Sequence, residues 1–241
     1  MLEIDGSQHE GGGQILRTSL ALSLRTLQAF RIHNIRAGRS KPGLQAQHLA
    51  AVRLAQSIGQ AQVQGAERGS GLLTFQPREL QAGYHKVDVG TAGSITLLLQ
   101  ACLWALPLLK EEVTLDLRGG TDVNWAPPLD YLLKVTLPAL AGFVELEVEV
   151  QKRGYFPQGG GRILIHYRPS AHADDRPLDW SAPAQSFQIG LQSWASPDLQ
   201  SRRVAQRLIE GFQAGWSGIP VDWHWGPIGS DTSPGPGTGA V

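Results

Sequence analysis

One cysteine in 241 residues rules out a disulfide within the chain, and no cysteine or histidine spacing suggests zinc. That cysteine, Cys102, sits in the apolar run 97–106, where a small buried hydrophobe is expected rather than a reactive thiol. Long hydrophobic runs are missing too: no stretch approaches the ~20 charge-free apolar residues of a membrane span. Residues 1–5 carry neither a basic n-region nor an apolar h-region. The expectation is a soluble, cytoplasmic protein with no membrane partner. Net charge is zero, 21 basic against 21 acidic side chains, so nothing global marks a polyanion binder. Locally the balance fails. Between Glu10 and Glu67 no acid occurs, whereas Arg17, Arg25, Arg31, Arg36, Arg39, Lys41 and Arg53 all fall there. A solvated helix face normally mixes signs, because a one-sign field repels itself. The block therefore reads as a polyanion site. Arg25 and Arg53, which lie within helical patterns, are expected instead to pair with acids from the second half.

What is present is enough for a sizeable core, since 41% of the residues are hydrophobic and the length suits one large domain or one and a half ordinary ones. The chain also repeats itself. A strand at 2–5 leads into the glycine loop Glu10-Gly11-Gly12-Gly13 and a helix from about Gln14, whose stripe is Leu16, Leu20, Leu24 and Leu27. A strand at 30–35, the turn 36–43 and a helix at about 44–58 follow, with Leu44, His48, Ala51, Val52, Ala55 and Ile58 on one face. Strands at 62–64 and 72–76 close the unit.

The same order recurs about 82 residues later. It runs through a strand at 86–89, the loop 90–94, a nearly all-apolar helix from Ile95 and a strand at 113–117. A helix at about 129–140 and strands at 144–150 and from Ile163 complete it. In this register Arg118-Gly119-Gly120-Thr121 parallels Arg36-Ala37-Gly38-Arg39, and Pro127-Pro128 parallels Pro42. Two β-α-β-α-β-β units predict a layered α/β (α+β) architecture, with helices on one face of four-stranded sheets.

After Pro169 the pattern changes. Residues 170–186 read as a linker, and 187–241 as an incomplete small α/β insert. The insert should hold a strand at 187–191 and a helix capped by Ser196-Pro197, with Leu199, Val204, Leu208 and Phe212 inward and Gly215 as its stop. A strand at 221–225 comes next, and then loop punctuation to Gly239. Residues 1–169 would form the two-unit body.

Three stretches carry a family resemblance: Arg153-Gly154-Tyr155-Phe156-Pro157-Gln158-Gly159-Gly160-Gly161-Arg162-Ile163, Glu10-Gly11-Gly12-Gly13-Gln14-Ile15-Leu16-Arg17, and 35–49 with its Arg39-Ser40-Lys41-Pro42-Gly43. Together they resemble the RNA 3'-terminal phosphate cyclases of the bacterial type, along essentially the whole chain. The resemblance implies repeated units of the kind shared with enolpyruvyl transferases. It also implies ATP-dependent conversion of an RNA 3'-phosphate end to a 2',3'-cyclic phosphodiester, through histidine-AMP and RNA-adenylate intermediates. ATP and Mg2+ (or Mn2+) are the implied cofactors.

By position, the resemblance assigns Glu10 to metal coordination, Arg17 and Arg39 to the RNA terminal phosphate, and Gln100 and Pro127 to the nucleotide. From the residues alone, Glu10 also suits a helix N-terminus, Arg17 a surface ion pair and Gln100 a core amide. The triple glycine at 159–161 suits packing or close backbone approach before chemistry. None of the seven histidines, His9, His33, His48, His85, His166, His172 and His224, stands in the family's nucleophile context, which belongs to a further repeat. His48 is expected on an apolar helix face. The leading expectation is thus a cyclase chain lacking its C-terminal part and inactive alone; the alternative is a non-catalytic, cyclase-like RNA-binding or ribosome-assembly protein. An enolpyruvyl transferase is a remote third.

Overall fold

In a computed structural model, the described residues are 1–9, 11–169, 189–218, 221–225 and 233–241. Glu10, the 170–186 linker and His172 therefore lie outside them. The first unit comprises β1 (Leu2–Asp5), α1 (Gln14–Thr26), β2 (Phe30–His33), α2 (Ala46–Gly59), β3 (Gln62–Gln64) and β4 (Leu73–Gln76). Its sheet runs β1-β2-β4-β3, with β1 parallel to β2 and β4 antiparallel to both its neighbours. Leu16, Leu20 and Leu24 of α1 are buried as the helical period requires. Leu27 is not: it caps the helix in a left-handed conformation (φ 55°) and turns out to solvent. A residue past the last helical turn no longer follows the 3.6 period, so the expected stripe ends one member early.

The second unit repeats this plan with β5 (Gly83–Asp88), α3 (Ile95–Leu99), a 3₁₀ turn (Leu106–Leu108), β6 (Val113–Gly119), α4 (Leu129–Tyr131), a π-helical turn (Leu132–Thr136), α5 (Leu137–Leu140), β7 (Leu146–Lys152) and β8 (Gly161–Tyr167). Sheet order β5-β6-β8-β7 is that of the first unit. The helix from Ile95 is shorter than its apolar run. Beyond Leu99 the chain continues mainly as i→i+3 turns, such as Ala101→Leu98, Ala105→Cys102 and Leu109→Leu106. A stretch with so few polar residues gives no periodic signal of where helical bonding stops. The π-turn lies just before Pro138, whose missing N–H leaves the helical ladder one bond short. Cys102 is fully buried, and burial pushes its thiol up to about 12, so it is the inert hydrophobe expected.

One buried cluster spans both units, from Leu16 and Ile32 to Leu117 and Ile165, and α2 of the first unit packs on β5 and α3 of the second. Arg25 joins the units differently from expectation. It donates to the Trp104 carbonyl (3.4 Å) and lies over the Phe143 ring (5.6 Å), since no acid stands at that helix end but an aromatic face does. No helix among the described residues is long and apolar enough to cross a membrane.

The third part holds β9 (Ile189–Ala195), α6 (Pro197–Gln200), α7 (Val204–Gly215), β10 (Val221–Trp225) and β11 (Thr238–Ala240), in a sheet ordered β10-β9-β11. β11 was expected as loop. It pairs antiparallel with β9 because Gly239 leaves room for the Trp194 ring beside it. The inward residues of α7 are Ala205 and Ile209, with Leu208 and Phe212 largely exposed. A small residue at the contact lets a short helix approach a narrow sheet, and that rotates the stripe by one position. Phe212 instead meets the rings of Trp216 and Trp223, each 5.7 Å away.

The run 153–163 fastens these parts together. Gly154 approaches the Gly161 backbone, and a side chain on Gly159 (φ 68°) would strike the backbone of Ala92 at 2.7 Å. Its two arginines each neutralise buried acids. Arg162 holds Asp116 by two bonds of 2.8 and 2.9 Å, keeping that carboxyl below its usual range. Arg153 reaches Asp122 (3.1 Å) and Asp130 (2.6 Å) and lies under the Trp194 ring of β9 (5.1 Å).

Candidate functional site

A cavity of about 560 Å³ opens where the two units meet. The first unit contributes Gly12 and Gly13 before α1, Arg36 and Arg39 from the turn after β2, and Gln47 and His48 from the start of α2. From the second come Ala92 and Leu97 around the start of α3, Val123, Asn124, Trp125 and Ala126 from the loop after β6, and Phe156. The described lining contains no carboxylate.

Glycine is required at Gly13 by close approach. A methyl there would overlap the His48 imidazole and stand 3.0 Å from an Arg17 nitrogen, while one on Gly12 would lie 3.2 Å from Arg39. The bare backbone thus lets an imidazole and two guanidinium groups converge on the start of α1. Gly13 at the cap of that helix supplies no side-chain bond and the first turn holds no acid, so the positive dipole end meets no capping side chain from these described residues. Arg36 is oriented by bonds to the carbonyls of Lys41 (2.6 Å) and Gly43 (2.8 Å). Burial, and then the neighbouring Arg39, press on its charge.

His48 is the principal correction to the sequence reading. It stands at the third position of α2 in a reciprocal cap: the Gln45 side chain takes the His48 backbone N–H, and His48 Nδ1 accepts the Gln45 N–H at 3.2 Å. With Nδ1 accepting, the neutral ring carries its proton on Nε2, the atom beside Gly13. Burial, then Arg36 and Arg17, push its pKa down to about 4. At neutral pH His48 is therefore an uncharged N–H donor whose other nitrogen is committed to the helix cap. A Gln-x-x-His spacing at a helix start was the sequence signal that could have found it. Gln47, next to it, accepts the Ser94 N–H at the cap of α3 (2.9 Å) and so ties the two walls together.

Arg17 is half-buried beside Gly13, burial lowers its pKa, and its Nε–H points to Gln100 Oε1 at 3.4 Å. Gln100 is exposed, so it is no core amide. Arg39 lines the cavity directly. Pro127 follows the lining loop, and its carbonyl accepts from Thr96 Oγ1 at 2.8 Å. The structure thus brings Arg17, Arg39 and Gln100 to one place and sets Pro127 at its edge. Arg36, Gln47, His48, Asn124, Trp125 and Phe156 come in addition, and loops without periodicity concealed most of these. Among the described residues no group of three His, Cys, Asp or Glu could hold a metal ion.

Three other described histidines have neighbours outside the cavity. His85 is buried with Nδ1 at Ser57 Oγ (2.6 Å) and Nε2 at the Gln81 carbonyl (3.0 Å). His166 lies between Thr114 and Glu149, and His33 lies near Asp5.

The sequence profile of the family described as RNA 3'-terminal phosphate cyclase matches residues 8–225. Proteins named RNA 3'-terminal phosphate cyclase from Ignicoccus hospitalis and Thermococcus sibiricus are 40% and 41% identical over all of this chain, which covers 69% and 70% of their lengths. The protein of that name from Archaeoglobus fulgidus is 52% identical over 171 residues, 70% of this chain and 52% of its own length. The chain thus spans about half to two thirds of the curated relatives it matches. With the profile covering most of its length and identities of 40% or more, the chain belongs to the RNA 3'-terminal phosphate cyclase family.

Proposed function

We propose that the cavity binds the phosphate at the 3' end of an RNA, in a protein that converts it to a 2',3'-cyclic phosphodiester at the expense of ATP. One observation carries this reading: Arg39, Arg17 and the His48 ring converge on the start of α1, and Arg36 lines the same cavity, whose described lining holds no carboxylate. That donor set suits phosphoryl oxygens, which accept charge-assisted bonds from several directions. A phosphate monoester is a poor electrophile. Transfer of an adenylyl group from ATP to its oxygen, with release of pyrophosphate, would make AMP a leaving group, which the neighbouring 2'-hydroxyl displaces.

In that chemistry Arg36, Arg39 and Arg17 would hold the terminal phosphate and offset its charge, and His48 would donate a hydrogen bond from its Nε2–H without adding charge. Gln100, beside Arg17, and Pro127 are the proposed nucleotide contacts. For Mg2+ or Mn2+ the described residues offer no ligand cluster, and Glu10 lies outside them.

The described rings of His48 and His85 support a companion proposal, that this chain takes up AMP on neither of them. His48 has one ring nitrogen bonded to the helix cap and the other protonated, and His85 has both nitrogens engaged. Incubation with labelled ATP and Mg2+, followed by denaturing electrophoresis and mapping of any label, is expected to leave both residues unlabelled. A covalent label on either would overturn this. The same arrangement favours the second reading, RNA-end binding without catalysis, for which RNA affinity would be independent of nucleotide.

Binding of a short RNA should be tighter with a 3'-phosphate than with a 3'-hydroxyl. Loss of one charge-assisted bond, worth ~1.5–3 kcal/mol, should make Arg39→Ala lose about 10-fold to 100-fold of that preference. Gly13→Ala should also reduce it, by displacing the His48 ring. Equal affinity of the unsubstituted protein for the two ends would refute the proposal.

A further inference from the structure

The cavity has a second chemical character that phosphate recognition does not use. Trp125 on its rim is 99% exposed, the most exposed large apolar side chain among the described residues, and it sits at φ 64° in the left-handed region. Bulky residues rarely adopt that conformation unless the surroundings impose it. Here both ends of its loop are fastened. Asp122 is ion-paired to Arg153 at 3.1 Å, the Leu129 N–H returns to the Thr121 carbonyl at 3.1 Å, and the Pro127 carbonyl takes the Thr96 hydroxyl. The indole is thus presented to solvent by a loop fixed at its base. Phe156, from a different segment, lines the same cavity and is 67% exposed.

A single exposed aromatic needs no explanation. Two of them, on separate segments and lining one cavity together with Arg36 and Arg39, match the composition of sites for single-stranded nucleic acid. In such sites cationic groups take the backbone, and aromatic faces stack bases without regard to sequence. We infer that Trp125, with Phe156 lining the same cavity, is the platform on which a nucleobase of the RNA 3' end stacks while its phosphate is held by the arginines. This assignment rests on the phosphate reading of the cavity. It adds a requirement that phosphate chemistry lacks: the end must carry an unpaired base, whose identity matters little.

Fluorescence anisotropy with a labelled single-stranded RNA hexamer bearing a 3'-phosphate tests it, beside the same RNA with an abasic last nucleotide. Trp125→Ala should weaken binding of the intact RNA by about 10-fold to 100-fold, and Trp125→Phe should retain most of the affinity. Removing the terminal base should weaken the unsubstituted protein comparably but cost Trp125→Ala nothing further. The preference for 3'-phosphate over 3'-hydroxyl should survive in Trp125→Ala, because the arginines set it. If that preference is present and Trp125→Ala binds the intact RNA normally, the stacking assignment fails and the phosphate reading stands. Absence of the preference in the unsubstituted protein defeats the phosphate reading itself. A loss confined to ATP affinity would reassign the platform to adenine and overturn the RNA-base assignment. Since the side chain is exposed, the variants should melt as the parent does.

Discussion

Arg153→Met is expected to destabilise the protein by about 3–5 kcal/mol, the usual cost of leaving buried charge without its partner. The Arg153 guanidinium and the Asp122 and Asp130 side chains are each less than one tenth exposed. Burial already pushes the Asp122 carboxyl above its ordinary value, with Arg153 the main opposing influence. Without the guanidinium, two carboxylates face each other in a poorly solvated space, and at least one must take up a proton. The Trp194 ring loses its cation at the same time. Denaturant unfolding followed by circular dichroism measures the effect. The triple variant Arg153→Met, Asp122→Asn, Asp130→Asn should recover most of the loss, because uncharged groups need no counterion. An unchanged midpoint in the single variant would show that the cluster contributes nothing, and a triple variant as unstable as the single one would place the cost in packing instead.

The second large effect is on pH dependence. His48 titrates near 6.5 when unfolded and about 4 when folded, so between those values the unfolded chain binds more protons. Its contribution is fully present above pH 6.5 and is lost as pH falls towards 4, because each unfolding event then gains a proton. At about 1.4 kcal/mol per unit, the total is on the order of 3 kcal/mol. Thermal or urea unfolding at pH 7, 5.5 and 4.5 should show stability falling over this window, and less steeply in His48→Asn, where no imidazole titrates. Parallel curves for the two proteins would mean that His48 is protonated without penalty in the fold. Phosphate-end binding is subject to two opposed titrations: a charged His48 would attract phosphate more strongly, while the terminal phosphate, with a second pKa of about 6, itself loses negative charge by pH 5.

Much of the architecture was legible because the chain states it twice. Glycine loops, apolar stripes and turn clusters recur in matching order, and two sheets of identical strand order result. Details failed where one residue type serves two structural contexts. The run 95–106 is apolar but for Thr96 and Gln100, so its pattern does not mark Leu99 as the last helical residue. Leu208 and Phe212 obey a helical period, as do Ala205 and Ile209, and only the third sheet's position chooses between them. At the site, Arg17 and Arg39 could be read from a stretch devoid of acids. His48 could be placed on α2, but its ring orientation depends on a cap bond to Gln45 and on the empty space above Gly13. Trp125 carries no local pattern, and Phe156 carries one only as part of the run 153–163. That they line one cavity is visible only in the fold.

Because the cavity takes one wall from each unit, neither unit holds a complete site, and ligand affinity reports on the seam between them. A bound RNA end must then suppress any fluctuation that parts α2 from the loop after β6, since such an opening also forfeits the ligand. Amide hydrogen exchange should accordingly slow in both units together on binding, at the Gln47–Ser94 contact as much as beside the arginines.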